Sequence, residues 1–366
     1  MSLMSNLLAK LPFQNKLRFS DNKKQSVGLD IGSNSLKAVE LRPNGKDAYS
    51  LAAYGFEEIS PEWIVDGALV ESGPIANAIE RIFTNQHIHN NRVVTSISGH
   101  SVIVKKISIH SRDEENLAES VWWEAGQHLP FDIDDVNFDF QVIGENRATE
   151  MLEVLFVAVK KDQVQAYINV FNQAKKTPVI IDVDAFALQN AYEYNYEPTQ
   201  DSTAALLNIG ANKMMINLVS GTDFLFTRDI SVGGHRYTEF LQKEFNISYD
   251  QAQALKFGEI LDNIPAADVQ YVIDSVTEII SMEIHKTFDF FKSTSSVNGI
   301  DRMLVSGGAV HTHGLIDSLD KNFDIPVEEF DSFRRIHVDS KRFPTIKEQS
   351  ADMAIAVGLA LRSDEA

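Results

Sequence analysis

Two short polar turns in this chain carry the residue types that bind phosphate. Each turn lies between two apolar runs with the alternation of β-strands, and each follows directly after an isoleucine. The first turn is Gly32-Ser33-Asn34-Ser35, and the second begins with Gly210-Ala211-Asn212. Glycine permits close approach of a ligand, and successive backbone N–H groups form a concavity that binds anions. The first segment alone is more typical of an ordinary hairpin, but its repetition favours two phosphate-binding loops.

The residues around these turns extend the pattern. Asp30 lies near the end of the strand before the first turn and would direct a carboxylate at the same place. A nucleoside triphosphate arrives with Mg²⁺, which usually keeps several waters that one or two carboxylates hold. Asn208 is the polar residue at the matching position before the second turn, and a third glycine signal, Gly307-Gly308-Ala309, follows another apolar run. Two such turns about one domain apart suggest a duplicated architecture that closes on one nucleotide from both sides.

With these features the chain resembles the actin-like ATPase superfamily, which contains actin, the large ATP-dependent chaperones, sugar kinases and the bacterial proteins FtsA and MreB. Within the superfamily it is most similar to the PilM family of type IV pilus assembly proteins, on the FtsA-like branch. The closer similarity is carried by five segments spread over nearly the whole chain, at residues 28–41, 123–140, 180–188, 226–244 and 303–310. Among them, the segment PFDIDDVNFDF favours the PilM family over FtsA.

The resemblance implies an α/β fold of the actin-like, two-lobed ATPase type, which consists of duplicated RNase H-like domains with a small inserted α+β subdomain. We expect the first lobe at residues 27–200 and the second at 201–366, with the inserted subdomain at about 101–178. Residues 1–26 form a basic extension with five Lys or Arg side chains and one Asp. That extension is open to two interpretations: a short amphipathic helix at an anionic membrane surface, or, more typically, a segment without fixed structure.

Two residues bear on hydrolysis. In MreB-like relatives a glutamate just before a helix positions the attacking water, and Asp184 is the residue that lines up with it. Aspartate is one methylene shorter, which implies at most a slow ATPase; alternatively, Asp184 only caps its helix. Relatives usually have aspartate where this chain has Asn208, which would share the metal site with Asp30. Because an amide carries no charge, Mg²⁺ affinity and water activation should both be weakened.

The remaining ligand contacts follow from the resemblance. Lys256 stands where relatives place a lysine over the ribose and adenine, although a lysine on a surface helix is usually only solvated. The third glycine signal resembles the adenosine motif. The implied ligands are therefore ATP and Mg²⁺, and the predicted nucleotide-binding residues are Gly32, Ser33, Asn34, Ser35, Lys37, Gly210, Ala211, Asn212, Lys256, Gly307, Gly308 and Ala309.

Composition limits the classes of function. With 366 residues, 44% of them hydrophobic, the chain can bury a core divided between two lobes. A net charge of −19 argues against nucleic acid as a main partner, because phosphate backbones need a basic face. There is no run of eighteen apolar residues and no signal peptide pattern, and the absence of cysteine fits a reducing compartment. These features fit a cytoplasmic protein, and the resemblance implies that it is peripheral at the inner membrane through its partners.

The resemblance implies a nucleotide-binding scaffold of the type IV pilus inner-membrane complex, and hence a part in twitching motility. It implies binding of the cytoplasmic N-terminal tail of PilN through the groove beside the inserted subdomain, contacts with other inner-membrane components, and scope for self-association. The alternatives are an FtsA-like division or cytoskeletal ATPase, or a slow ATP hydrolase of the same superfamily. An FtsA-like protein would polymerise on membrane through a C-terminal amphipathic helix, and residues 363–366 offer none.

Hydrophobic periodicity predicts the helices that position these residues. They are expected at residues 74–86, 117–129, 161–174, 184–194, 237–245, 249–257, 269–293, 314–319 and 352–362. Residues 331–349 are polar and contain a proline, which is typical of a loop.

Overall fold

Two five-stranded mixed sheets form the framework of the computed structural model, which describes residues 25–110, 117–146, 149–295, 297 and 299–362. The basic extension at 1–26, apart from its last two residues, and the C-terminal residues 363–366 lie outside this description. The strands of the first sheet are β1 (Val27–Ile31), β2 (Ser35–Pro43), β3 (Tyr49–Glu58), β6 (Arg92–Ile97) and β10 (Thr177–Val183). A small hairpin of β4 (Ile64–Val65) and β5 (Ala68–Leu69) lies between β3 and β6 in the chain.

The second sheet repeats the first. Its strands are β11 (Thr203–Ile209), β12 (Met214–Ser220), β13 (Asp223–Ile230), β14 (Arg302–Ser306) and β15 (Val327–Glu329). In each sheet three consecutive strands form an antiparallel meander, and two later strands are added in parallel beside the first strand of that meander. The identical order, β10-β6-β1-β2-β3 against β15-β14-β11-β12-β13, confirms the predicted duplicated, actin-like fold.

A third, three-stranded sheet interrupts the first lobe. It contains β7 (Val102–His110), β8 (Val136–Asn146) and β9 (Met151–Lys160) in the order β7-β9-β8, and helix α2 (Leu117–Gly126) packs on it. We call residues 102–160 the inserted block. Side chains alternate along the central strand β9: Val154, Phe156 and Ala158 face the core of the block, whereas Leu155, Val157 and Val159 belong to the core of the first lobe.

Helices cover the two large sheets. They are α1 (Ser72–Asn85), α3 (Lys161–Gln173), α4 (Asp184–Tyr196), α5 (His235–Phe245), α6 (Tyr249–Lys256), α7 (Ala266–Thr294), α8 (Leu315–Asn322) and α9 (Ala354–Leu361). The predicted helices are present, with shifted ends: α2 stops at Gly126, and a short 3-10 turn, Ala351–Met353, precedes α9. Helix α3 packs against α1, and β10 pairs with β6. Helix α3 and strand β10 are therefore both associated with the first sheet. No helix among the described residues is long and apolar enough to span a bilayer.

Helices α4 and α9 pack against each other between the two large sheets. Their contact is so close that a Cβ atom added to Gly358 would lie 1.7 Å from the carbonyl oxygen of Ala187. Residues 331–349 form no helix and no strand, as predicted, but they are not a simple surface loop. Phe333, Ile336, Phe343 and Ile346 are buried in the same core as α4 and α9. The apolar residues of this segment have no period, so the sequence did not reveal their burial.

Candidate functional site

The two predicted turns have the same backbone geometry. In the first, the N–H of Gly32 donates to the carbonyl oxygen of Ser35 at 3.0 Å; in the second, the N–H of Gly210 donates to that of Lys213 at 2.9 Å. Each turn connects antiparallel strands through four residues. In the first turn Ser33 and Asn34 are half-exposed, which leaves them accessible to a ligand.

Asp30 lies across the strand pair from Lys37, and the two form an ion pair of 3.2 Å. The same ammonium lies beside the first turn, because a Cβ atom on Gly32 would be 3.6 Å from Lys37 Nζ. Burial raises the pKa of Asp30; Lys37 opposes this shift, and the carboxylate of Asp184 adds to it. Lys213, at the end of the second turn, also lowers the pKa of Asp30 through its charge. The two turns and the start of α4 therefore face one space.

Asp184 is the first residue of α4, and the N-cap is Val183, so the capping interpretation of Asp184 is wrong. Its carboxylate accepts a hydrogen bond of 2.7 Å from the hydroxyl of Ser96 and forms an ion pair of 3.4 Å with Lys213. Burial would raise the pKa of Asp184, but Lys213 and the serine hydroxyls outweigh it and the pKa is lowered. Asp184 is therefore an ionised carboxylate that already has a cationic partner.

Lys213 and Asp229 are site residues that the sequence analysis missed. Lys213 Nζ lies 3.6 Å from Asp229 Oδ2, and the same oxygen accepts a 3.0 Å hydrogen bond from the N–H of Gly99. The position of Lys213 as the last residue of a predicted phosphate loop was a usable signal. Asp229 had none, since it lies on β13 and meets Gly99 only because the lobes fold together.

A cavity of about 270 Å³ lies directly beside these carboxylates, at the junction of the inserted block with both lobes. Its wall combines the start of β7, the ends of β6 and β10, and strands β12 and β13. The lining residues are Ile97, Ser98, Gly99, His100, Val102, Ile103, Val104, Val183, Asp184, Ala185, Met215, Thr227 and Asp229. Its lining combines apolar residues with polar ones, which include the carboxylates of Asp184 and Asp229.

Asn208 and the third glycine signal meet at the second turn. Gly307 has a φ of +89°, and a Cβ atom there would lie 2.5 Å from Asn208 Oδ1 and 2.6 Å from the carbonyl oxygen of Ile209. Asn208 Oδ1 is also 3.4 Å from the hydroxyl of Ser306. Gly308 is different, because only Asp352 Oδ1, at 3.4 Å, comes near its added Cβ atom. Gly307 is thus required by the fold, whereas Gly308 has free space beside it.

Lys256 is buried, whereas a lysine on a surface helix would be solvated. Its Nζ lies 3.4 Å from Gln253 Oε1, and a Cβ atom on Gly234 would be 3.2 Å from Lys256 Nζ and 3.3 Å from Ala309 Cβ. Burial alone lowers the pKa of Lys256 to about 8. Among the described residues no carboxylate forms an ion pair with this ammonium, so an anionic ligand would offset the cost of its burial.

The N-terminus of α5 fixes the second turn. Gly234 and His235 donate backbone hydrogen bonds of 2.8 Å to the carbonyl oxygens of Gly210 and Ala211. The ring of His235 contacts Asn212 Oδ1 through Nδ1 at 2.7 Å. His235, which the sequence analysis did not select, therefore holds the predicted nucleotide-binding residue Asn212 in place.

The described residues contain no group of three or more His, Cys, Asp or Glu side chains placed to hold a metal ion. Asp30 and Asn208 each lie on the strand before one of the two turns, and their side-chain oxygens contact Lys37 and Ser306. Such a sparse set fits Mg²⁺, which is usually bound by one or two side chains together with waters and ligand phosphates. It does not fit an ion held by protein ligands alone.

The chain matches one protein family and is similar to several solved structures. The family model described as type IV pilus assembly protein PilM matches residues 28–364. A solved PilM–PilN type IV pilus biogenesis complex is similar at 25% identity and a TM-score of 0.82, over 93% of this chain and 98% of that one. The ethanolamine utilization protein EutJ from Carboxydothermus hydrogenoformans is 14% identical with a TM-score of 0.55, over 98% and 99% of the two chains. An MreB protein of Spiroplasma citri bound to ADP is 13% identical with a TM-score of 0.53, over 92% and 94%. These last two likenesses show the actin-like fold alone.

Proposed function

The chain belongs to the PilM family of type IV pilus assembly proteins, and we propose that it works there as a nucleotide-binding scaffold. It binds Mg-ATP in the cleft between its lobes and the cytoplasmic N-terminal tail of PilN in the cavity beside the inserted block. Through that tail it is held at the inner membrane, where it meets further components of the pilus complex and other copies of itself.

The observation that carries the nucleotide proposal is the buried ammonium of Lys256. It lies beside Gly234 and Ala309, at the glycine-lined end of the cleft, and no carboxylate contributes to its lowered pKa. An anion brought to this place gains a charge-assisted contact and removes the cost of the unpaired cation. The free space beside Gly308 suits a flat ring lying on the backbone. The ADP bound to the MreB protein of similar fold supports the same ligand class.

The residues of the two turns suit the phosphates. In the first turn, backbone N–H groups and the half-exposed Ser33 and Asn34 would bind phosphate oxygens, with Lys37 beside them. Asp30 and Asn208 would hold Mg²⁺ through water, and the metal would neutralise phosphate charge there. Hydrolysis is slow in this proposal, because Asn208 adds no charge and Asp184 is already paired with Lys213.

The cavity beside the inserted block suits an extended peptide. Strand β7 is an edge strand of the described sheet, and its first residues, Val102, Ile103 and Val104, line the cavity. An extended tail can add to such an edge by backbone hydrogen bonds while one side chain enters a neighbouring pocket. The solved PilM–PilN complex, similar over 93% of this chain, supports PilN as the source of that tail.

Two titrations of the wild-type chain test the proposal. Isothermal titration with Mg-ATP is expected to give saturable binding, and fluorescence anisotropy of a labelled PilN tail peptide is expected to rise with protein concentration. Absence of ATP and ADP binding at millimolar nucleotide would overturn the cleft assignment. A flat anisotropy curve would overturn the tail assignment independently.

A further inference from the structure

We propose that Lys213 couples the nucleotide site to the cavity: a bound phosphate takes its ammonium from Asp184 and Asp229, and the freed carboxylates then favour a cationic group of the partner tail. The inference rests on the proposed function, since it needs a nucleotide in the cleft and a peptide in the cavity.

Position is the first argument, because Lys213 borders both sites. Its backbone carbonyl closes the second turn by accepting from Gly210, so the residue is part of the proposed phosphate loop. Its side chain leaves that turn and ends at two carboxylates that line the cavity, 3.4 Å from Asp184 and 3.6 Å from Asp229. One flexible side chain thus connects the loop to the cavity wall.

Charge is the second argument. Burial would lower the pKa of Lys213, but Asp184 and Asp229 outweigh it and raise the pKa, so the ammonium is charged at neutral pH. Within the described ranges no other cation forms an ion pair with either carboxylate. Asp229 also accepts from the N–H of Gly99, at the base of the inserted block. The charge balance at this end of the cavity therefore depends on where the Lys213 ammonium lies.

Exchange of partners sets the sign of the coupling. A phosphate in the second turn offers a stronger anion to Lys213 than two carboxylates that already share it. Once the ammonium turns to phosphate, the buried carboxylate of Asp184 and the half-buried one of Asp229 have no cation, which is costly unless another cation enters. A lysine, an arginine or an amino terminus of the tail meets this need. Nucleotide should therefore tighten tail binding, and by linkage the tail should tighten nucleotide binding by the same factor.

The test measures tail affinity with and without saturating Mg-ATP in three full-length proteins, by anisotropy of the labelled PilN tail peptide. Wild type is expected to bind the tail about fivefold or more tightly with Mg-ATP. Lys213→Met is expected to remove this dependence, with a ratio near one. The matched control is Lys286→Met, which removes an exposed lysine from a 2.6 Å ion pair with Glu283 on α7 and should keep the wild-type ratio.

Lys213→Met leaves the buried carboxylate of Asp184 and the half-buried one of Asp229 without a cation and can lower stability, so a second variant serves the same test. Asp229→Asn keeps an acceptor for Gly99 and removes one charge, and it should reduce the Mg-ATP effect. An unchanged ratio in a folded Lys213→Met or Asp229→Asn protein overturns the coupling, as does a wild-type ratio near one. Either result leaves the proposed function intact, whereas failure of wild type to bind ATP or tail removes both.

Discussion

At the scale of single residues, Lys256 is expected to lower the stability of the free protein and to strengthen nucleotide binding. Because burial lowers its pKa to about 8 in the folded chain, against about 10.4 in an unfolded one, the unfolded chain holds more protons between these values. Stability of the wild-type chain without ligand should therefore rise with pH from about 8 to 10. Lys256→Met should lack this rise and should be more stable by about 1–3 kcal/mol at pH 7. Urea unfolding at several pH values measures both effects.

The same variant should also bind nucleotide more weakly. Removing a charge-assisted contact should weaken Mg-ATP binding by roughly tenfold or more. A stabilised protein with weakened ligand binding distinguishes a functional lysine from one that only packs. Equal pH dependence in the variant and wild type, or unchanged ATP affinity, contradicts the role given to Lys256.

Gly308 provides a test that spares the fold. Gly308→Val adds bulk where only Asp352 is near, so the melting temperature should change by no more than about 2 °C. The valine would occupy the space assigned to the adenosine, and Mg-ATP affinity should fall by roughly tenfold or more. Thermal shift with and without Mg-ATP reports both quantities. A wild-type thermal shift in this variant would place the nucleotide elsewhere.

Asn208 is the residue expected to limit hydrolysis. Asn208→Asp restores a charge beside the proposed metal, and the nearby Ser306 hydroxyl can donate to the new carboxylate. Turnover of ATP, measured as phosphate release at saturating Mg²⁺, should increase. An unchanged or lower rate in a variant with normal melting would show that Asn208 does not limit the chemistry, and would point to the Lys213–Asp184 ion pair instead.

At the scale of elements, the sequence predicted what depends on neighbours along the chain. Both strand–turn–strand units follow from period-two alternation around a glycine turn, and α7 follows from apolar residues at helical spacing. Contacts across the fold were not predictable in this way. Asp184 meets Lys213 from 29 residues away, and Asp229 meets Gly99 from 130 away. Such pairs are fixed by how the lobes pack, which no local pattern encodes.

A second long-range pair attaches the C-terminal helix to the first sheet. Arg362, just after α9, lies with Nε 2.8 Å from Oδ2 of Asp182 on β10, and the Asp182 side chain is only 1% exposed. Arg362→Met would leave this carboxylate buried without a cation and should cost about 3–5 kcal/mol of unfolding free energy.

The matched control is Arg81→Met, which breaks an exposed pair with Glu57 and should cost less than about 1 kcal/mol. Equilibrium urea unfolding compares the two variants. Equal losses would mean that the buried pair does not hold α9 in place.

At the scale of the whole molecule, the lobes and the inserted block have distinct roles. The two lobes share a core around α4 and α9, and their turns form the proposed nucleotide cleft. The block has its own core, but one face of β9 also covers the core of the first lobe through Leu155, Val157 and Val159. Deleting the block would uncover that face, so a test of its role should fill the cavity and leave the block in place.

Thr227 offers such a change, because it lines the cavity from β13 and belongs to neither lobe's apolar core. Thr227→Trp should fill much of the roughly 270 Å³. Thr222→Trp, at an exposed position in the turn before β13, is the control with the same substitution.

Docking of the tail in the cavity can be tested by the affinity of the labelled PilN tail for wild type, Thr227→Trp and Thr222→Trp, measured by anisotropy at saturating Mg-ATP. We expect a loss of roughly tenfold or more for Thr227→Trp, wild-type affinity for Thr222→Trp, and an unchanged thermal shift by Mg-ATP in both. Wild-type tail affinity in a folded Thr227→Trp protein would contradict this docking, because the tail would then dock away from the cavity beside the inserted block.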